Sequence, residues 1–203
     1  MAYIPLMIDI SGKTVIVVGG GKVAERRVDT MIKYGADIHV ISPEVTDGLY
    51  SLYEQGEISW NKRIYDTKDA QEASLIIAAT NNPEVNSSVK QNAPANALLN
   101  MAGEAEAGDV IFPGTLHRGR MTISVSTGGA SPGLVSSILK DLDHEYDNNY
   151  EAYVDFLYEC RKWVKHSTVM VEEKNRLLKD LLSDEYLNAG RQQEVLDWLK
   201  SHD

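Results

Sequence analysis

Thr14-Val15-Ile16-Val17-Val18-Gly19-Gly20-Gly21-Lys22-Val23-Ala24 is the stretch on which the fold of this chain turns. Its first five residues are all β-branched, the composition of a strand covered on both faces of a parallel sheet. Three glycines end the strand and a helix pattern opens at Lys22. Gly19 to Ala24 fits G-x-G-x-x-A, and the strand before and helix after lift a weak pattern to a useful one. In a dinucleotide-binding turn Gly19 makes the tight bend, Gly21 lets a pyrophosphate approach the backbone, and Ala24 lets the helix lie close to the sheet. Gly20, Lys22 and Val23 complete that turn, where free N–H groups and the helix dipole face the phosphates. The alternative is a glycine-rich turn that holds no ligand.

Working outward, the helix runs from Lys22 to Tyr34, with Val23, Arg27, Thr30, Met31 and Tyr34 along one side and Gly35 as its stop. Further strands are expected at Ile38 to Ile41, Trp60 to Ile64, Ser74 to Ala79 and Ala97 to Leu99, with a helix from Pro83 to about Gln91. Strand alternating with helix predicts a doubly wound α/β domain over residues 1–113. Such sheets bind ligands outside the carboxyl ends of their strands, which places Ser42 and Pro43 after the second strand, and Thr80 and Asn81 after the fourth, beside a cofactor. Asn and Thr serve plain turns and caps equally well. The acidic residue expected about 20 residues past the glycines is absent. Glu44 either reaches the ribose or is a solvated turn residue. No Arg or Lys stands in that turn to take a 2′-phosphate, so NAD is preferred to NADP. Arg26 and Arg27 lie too far along the helix for the pyrophosphate and read as a solvated face.

The composition limits the rest. The chain has 203 residues, 43% of them hydrophobic and 25% charged, which excludes a disordered or fibrous protein. A net charge of −10 argues against nucleic acid and anionic membranes as partners. The single cysteine, Cys160, excludes an internal disulfide and a cysteine-rich zinc site, and five scattered histidines predict no metal. The N-terminal residues lack a basic n-region, and no run reaches the ~20 apolar residues of a membrane helix. A cytoplasmic protein is expected.

Beyond residue 110 the texture changes. Val110-Ile111-Phe112 and Met121 to Ser126 read as two strands joined across Arg118-Gly119-Arg120, and Ser131-Pro132 as the cap and first residue of a helix to about His144. His117, Arg118 and Arg120 offer a basic patch; Ser126, Thr127, Gly128, Gly129 and Ser131 offer hydroxyls and N–H groups ahead of a helix, an anion seat. A basic hairpin tip and an ordinary capped helix account for the same residues. Thr122, Ser124 and Ser126 share one strand face, either a cleft wall or an outer edge. After Asp147 the pattern is helical, with Tyr150, Tyr153, Val154, Leu157, Trp163 and Val164 near one stripe and Val195, Trp198 and Leu199 near another.

Pro5-Leu6-Met7-Ile8-Asp9, the glycine loop through Arg27, Ala78-Ala79-Thr80-Asn81-Asn82, Ile111-Phe112-Pro113 and Ser124-Val125-Ser126-Thr127-Gly128-Gly129-Ala130-Ser131-Pro132 together resemble the precorrin-2 dehydrogenase family of siroheme synthesis. The last of these is by far the most specific. The resemblance implies NAD-dependent oxidation of precorrin-2 to sirohydrochlorin by a homodimer. It also implies a Rossmann-like parallel-sheet domain (1–113), a small α+β dimerisation segment (114–146) and a helical C-terminal domain (147–203). Substrate residues on this reading are Asn100, His117, Arg118, Ser124, Ser126, Thr127, Gly128, Gly129 and Ser131, because a substrate with eight carboxylates needs a local reversal of charge.

One departure matters. The family's Asn-x-x-Asp-Asp stretch reads Asn100-Met101-Ala102-Gly103-Glu104 here, with Gly103 at the first Asp. Glu104 is the candidate catalytic carboxylate in its place, against an exposed loop glutamate beside Glu106. Oxidation without metal insertion is expected; the rivals are a bifunctional dehydrogenase and ferrochelatase and, from another class, an NAD-sensing dimeric regulatory module.

Overall fold

Thr14–Val18 forms β1 at the centre of a five-stranded, wholly parallel sheet. Its neighbours are β2 (Asp37–Ile41), β3 (Ser59–Asn61), β4 (Leu75–Ala78) and β5 (Leu98–Met101), in the order β3-β2-β1-β4-β5. The computed structural model describes residues 3–168 and 170–200, so the outermost residues of the chain, His202 among them, lie outside it. Two compact units divide the chain between Phe112 and Pro113.

In the first unit, strand alternation sorts side chains onto two faces. Val15, Val17, Ile38, Val40 and Ile77 pack with α1 (Lys22–Ile32) and α2 (Asp47–Glu54); Ile16, Val18, Ile76, Ala78 and Leu99 pack with α3 (Pro83–Asn92). Both faces are covered, as an all-parallel sheet requires. This is the expected Rossmann-like domain, and the order reverses between β1 and β4, where a crevice opens at the strands' carboxyl ends.

Several local expectations are corrected. The buried stripe of α1 is Ala24, Val28 and Met31, one residue round from the expected side; Val23 and Tyr34 are 40% and 45% exposed. The helix stops at Ile32, and Gly35 turns the chain at φ +69°. β3 is three residues rather than five, ending before Lys62-Arg63. α2 was not anticipated: Gly48 in its first turn hides a helix that Thr46 caps through the Leu49 N–H at 3.4 Å. Val110 to Phe112 is not a strand, because Val110 and Phe112 are spent covering the α1 side of the sheet.

In the second unit the hairpin is instead β6 (Gly114–Arg118) against β7 (Met121–Val125), turning at Gly119 with φ +54°. A Cβ on Gly114 would strike Val135 and Leu139, so α4 (Pro132–Glu145) lies directly on this strand. No residue of α4 is fully buried. α5 (Asn149–His166), α6 (Val171–Asp180) and α7 (Ala189–Lys200) follow, with a core of Tyr153, Phe156, Cys160 and Leu199. Burial pushes the Cys160 thiol up to about 11, so it serves as core rather than nucleophile. Trp198, half exposed, stands edge-on to Trp163 at 5.7 Å.

Candidate active site

The three glycines differ in what a side chain would meet. Gly19 sits at φ +117°, and a Cβ there would overlap the Ala79 carbonyl oxygen. A Cβ on Gly20 would overlap the Glu44 carbonyl. Gly21 has no atom within 4 Å of that position. The first two glycines are therefore required by backbone packing, while the third leaves space at the N-terminus of α1. A glycine that nothing internal requires, beside two that are jammed, fits a turn shaped for a phosphate group.

Around that space lies a cleft of about 820 Å³. All nine residues expected at the cofactor line it: Gly19, Gly20, Gly21, Lys22, Val23, Ser42, Pro43, Thr80 and Asn81. Glu44 is exposed on its wall, and Thr46, Ile64, Tyr65 and Val85 join it. The loops are stitched together. Gly19 N–H donates to the Ile41 carbonyl at 3.0 Å, and Thr46 N–H to the Gly20 carbonyl at 2.9 Å. Ser42 is buried, its carbonyl accepting the Trp60 indole N–H at 2.9 Å.

Three residues assigned no role from the sequence hold these loops. Asn86, one turn into α3, donates from Nδ2 to the Thr80 carbonyl (3.0 Å) and accepts the Thr80 hydroxyl on Oδ1 (2.9 Å). With the Asn82 N–H also on its oxygen at 3.0 Å, the Thr80 hydroxyl is fixed. Exposed Asn81 makes no side-chain hydrogen bond among the described residues. Glu25 bonds Thr46 and Lys22, contacts that hold its carboxyl below the ordinary range. Its carboxylate lies where a Cβ on Gly48 would come within 2.5 Å, so α1 and α2 meet through it. Arg63, which β3 brings beside the Ser42 turn, is bound at 2.8 and 2.6 Å by both oxygens of Asp69. That bond lowers the Asp69 pKa.

The other candidates of the first unit follow β5. Asn100 is buried, its Nδ2 donating to the Val110 carbonyl at 2.8 Å and its Oδ1 without a partner. Glu104 is exposed in the loop beyond, and Gly103 has open space where a side chain would stand.

In the second unit the expected basic patch is not one surface, because neighbouring strand residues point oppositely. His117 lies on the face of Thr115, Thr122 and Ser124, with Nδ1 3.0 Å from the Thr122 hydroxyl. Arg118 points the other way. Its guanidinium bonds the Tyr146 carbonyl (2.8 Å) and Asp143 Oδ1 (2.7 Å) and is 11% exposed, so it ties the hairpin to the end of α4 and is not offered to a ligand. Arg120 pairs with Asp155 at 3.0 Å and lies over the Tyr158 ring. The N-terminus of α4 is largely self-satisfied. Gly128 N–H bonds Ser126 Oγ (3.2 Å), Ser131 N–H bonds Thr127 Oγ1 (3.0 Å) and Leu134 N–H bonds Ser131 Oγ (3.1 Å). The Gly129 and Gly133 N–H groups have no partner among the described residues. Also among these residues, no three His, Cys, Asp or Glu side chains converge as a metal site.

Comparison with known proteins agrees with this geometry. Residues 6–114 match an NAD(P)-binding family model and residues 150–195 the SirC C-terminal domain. The chain is 34% identical over 198 residues to the precorrin-2 dehydrogenase of Priestia megaterium, covering 97% of this chain and 98% of that one. It is 39% identical over 159 residues to the enzyme of that name from Bacillus subtilis, covering 78% and 98%. A solved structure described as SirC, precorrin-2 dehydrogenase, superposes with a TM-score of 0.84 at 33% identity, over 98% of this chain and all of that one. With a glycine turn open at Gly21 and near full-length likeness in sequence and structure, the chain belongs to the precorrin-2 dehydrogenase family.

Proposed function

We propose that this chain oxidises precorrin-2 to sirohydrochlorin with NAD as oxidant. The observation that carries it is the Gly21 space within a cleft lined by every residue expected of a dinucleotide site. NAD bound there supplies a hydride acceptor, which leaves positioning and proton removal to the protein. Gly20 to Val23 hold the pyrophosphate through backbone N–H groups after the bend at Gly19, whose own N–H is spent on the Ile41 carbonyl; Ser42 and Pro43 border the adenosine ribose, and Asn81, beside a Thr80 fixed by Asn86, faces the nicotinamide half. Of the substrate candidates, Asn100, His117, Ser124, Ser126, Thr127, Gly128, Gly129 and Ser131 remain, while Arg118 is assigned to the fold.

Glu104, on the exposed loop after β5, takes the proton that accompanies hydride loss. Glu104→Gln should lower kcat at least tenfold and leave the NAD Kd unchanged; undiminished turnover removes Glu104 from the site. With Gly103 at the position of the family carboxylate, the reading is oxidation without chelation. Wild-type protein given sirohydrochlorin and cobaltous ion should insert metal no faster than buffer. The decisive measurement is NADH appearance from precorrin-2 and NAD: absorbance at the nicotinamide band that never rises refutes the function.

A homodimer formed by residues 114–146 belongs to the same proposal. It is supported by a sheet that has only two strands among the described residues and by an α4 none of whose apolar residues is fully buried within its own unit. A monomeric mass in sedimentation would overturn it. Among the described residues no helix is long and apolar enough to cross a membrane, and a cytoplasmic location is proposed.

A further inference from the structure

Arg26 and Arg27 read in sequence as a solvated pair, but the structure separates them. Arg26 is exposed, whereas Arg27 is half-buried, its guanidinium stacked 4.4 Å from the centroid of the Phe112 ring. The Arg27 Nε is sealed from water and has no acceptor. Burial lowers its pKa, and the charged neighbour acting on it is Arg26, of like sign. Among the described arginines, the other one withdrawn from solvent is Arg118, and that one is bound to Asp143. Stacking on a ring face offsets part of the cost of desolvating a cation, but it leaves the donor fork unused. Among the described residues no carboxylate pairs with this guanidinium, although the chain is rich in acidic side chains, so the fitting partner is an anion that arrives from outside.

A second unpaired atom lies on the same side of the sheet. Leu98 packs with Val110 and Phe112 against the α1 face, and alternation along β5 puts Asn100 on that face too. Asn100, whose Nδ2 holds the Val110 carbonyl, keeps its buried Oδ1 without a donor. The strip from Val110 to Phe112 thus runs past an unused acceptor and an unused donor. Neither residue lines the cleft at the glycine turn. A ligand carrying both carboxylates and ring N–H groups matches that pair.

We propose that Arg27, held flat on Phe112, receives a carboxylate of the tetrapyrrole substrate; this rests on the reading that the substrate is precorrin-2. The flat fork suits bidentate contact with a carboxylate, which a lysine cannot reproduce.

The test uses the full chain with Arg27→Gln and Arg27→Lys. Arg27→Gln should raise the precorrin-2 KM about 10- to 100-fold, the range for loss of a charge-assisted contact, while the NAD Kd stays within twofold. Arg27→Lys should raise KM severalfold with NAD binding intact, and it carries the test if the glutamine variant melts early. Uroporphyrin, an octacarboxylate porphyrin, serves as a probe that needs no turnover. Its affinity, read by fluorescence, should fall in both variants, and its dependence on salt should flatten. An unchanged KM and an unchanged uroporphyrin affinity in a folded variant overturn the assignment. So does an equal weakening of NAD, which would make Arg27 a support of the glycine turn. A wild-type protein that forms no NADH refutes the proposed function instead, and the uroporphyrin comparison still decides Arg27.

Discussion

Replacing Gly21 by alanine separates ligand binding from folding. Gly21 has φ −85° and ψ −175°, extended backbone that any residue adopts, and a methyl there would meet nothing within 4 Å. Folding stability should hold or rise by about 0.4–1 kcal/mol as the unfolded chain loses freedom. The methyl would instead occupy the space a pyrophosphate needs at the first N–H groups of α1. Losing one charge-assisted hydrogen bond there costs about 1.5–3 kcal/mol, which weakens NAD binding about 10- to 150-fold. Gly19→Ala is the control with the opposite outcome. Its φ of +117° and the overlap with the Ala79 carbonyl load the folded state; strain of about 1–3 kcal/mol is expected, and each kcal/mol lowers Tm by about 2–4 °C in a chain of this length. Calorimetric titration gives the Kd and a thermal melt the stability. A Gly21→Ala protein that binds NAD like the wild type, or that melts as early as Gly19→Ala, refutes a phosphate seat at Gly21.

Asn86→Ala should raise the NAD KM about three- to tenfold, because Thr80 loses two bonds that fix the end of β4; a KM that does not move would refute the positioning role. Arg118→Ala should cost about 1 kcal/mol of stability by removing the bond to the Tyr146 carbonyl, while Asp143, 63% exposed, regains water. A variant that melts like the wild type but has a raised precorrin-2 KM would return Arg118 to the substrate. Asp69 has its pKa lowered by Arg63, so the stability this pair contributes is fully present above the ordinary carboxylate range and is lost as pH falls through the depressed value. Melting curves should therefore show a shallower acid decline for Arg63→Gln than for the wild type; parallel declines would count against the linkage.

The cleft at the glycine turn was legible because its pieces are local. Strand, glycines and helix follow one another in sequence, and the ends of β2 and β4 are found by counting strands, so the cleft's lining could be named without coordinates. What escaped depends on distant neighbours. Asn86 and Glu25 are ordinary helix residues until the fold sets them against Thr80 and Thr46. α2 hid behind Gly48, whose missing side chain makes room for Glu25. The basic patch failed for another reason: His117 and Arg118 are adjacent in sequence and opposite in space, and Asp143, twenty-five residues on, claims the arginine. Arg27 looked solvated because nothing in the helix pattern announces that the ring of Phe112 will come to rest against it.

The backbone seam between the glycine turn and the loop after β2 has a cost for anyone wishing to alter cofactor preference. Thr46 N–H is tied to the Gly20 carbonyl, and the Glu44 carbonyl fills the place of a Gly20 side chain. Remodelling residues 43 to 45 to admit a 2′-phosphate would therefore drag the pyrophosphate turn with it. On the proposed placement of NAD, selectivity at one end of the dinucleotide and grip at its middle are geared together, and an exchange that leaves the path of the main chain intact is the kind this architecture tolerates.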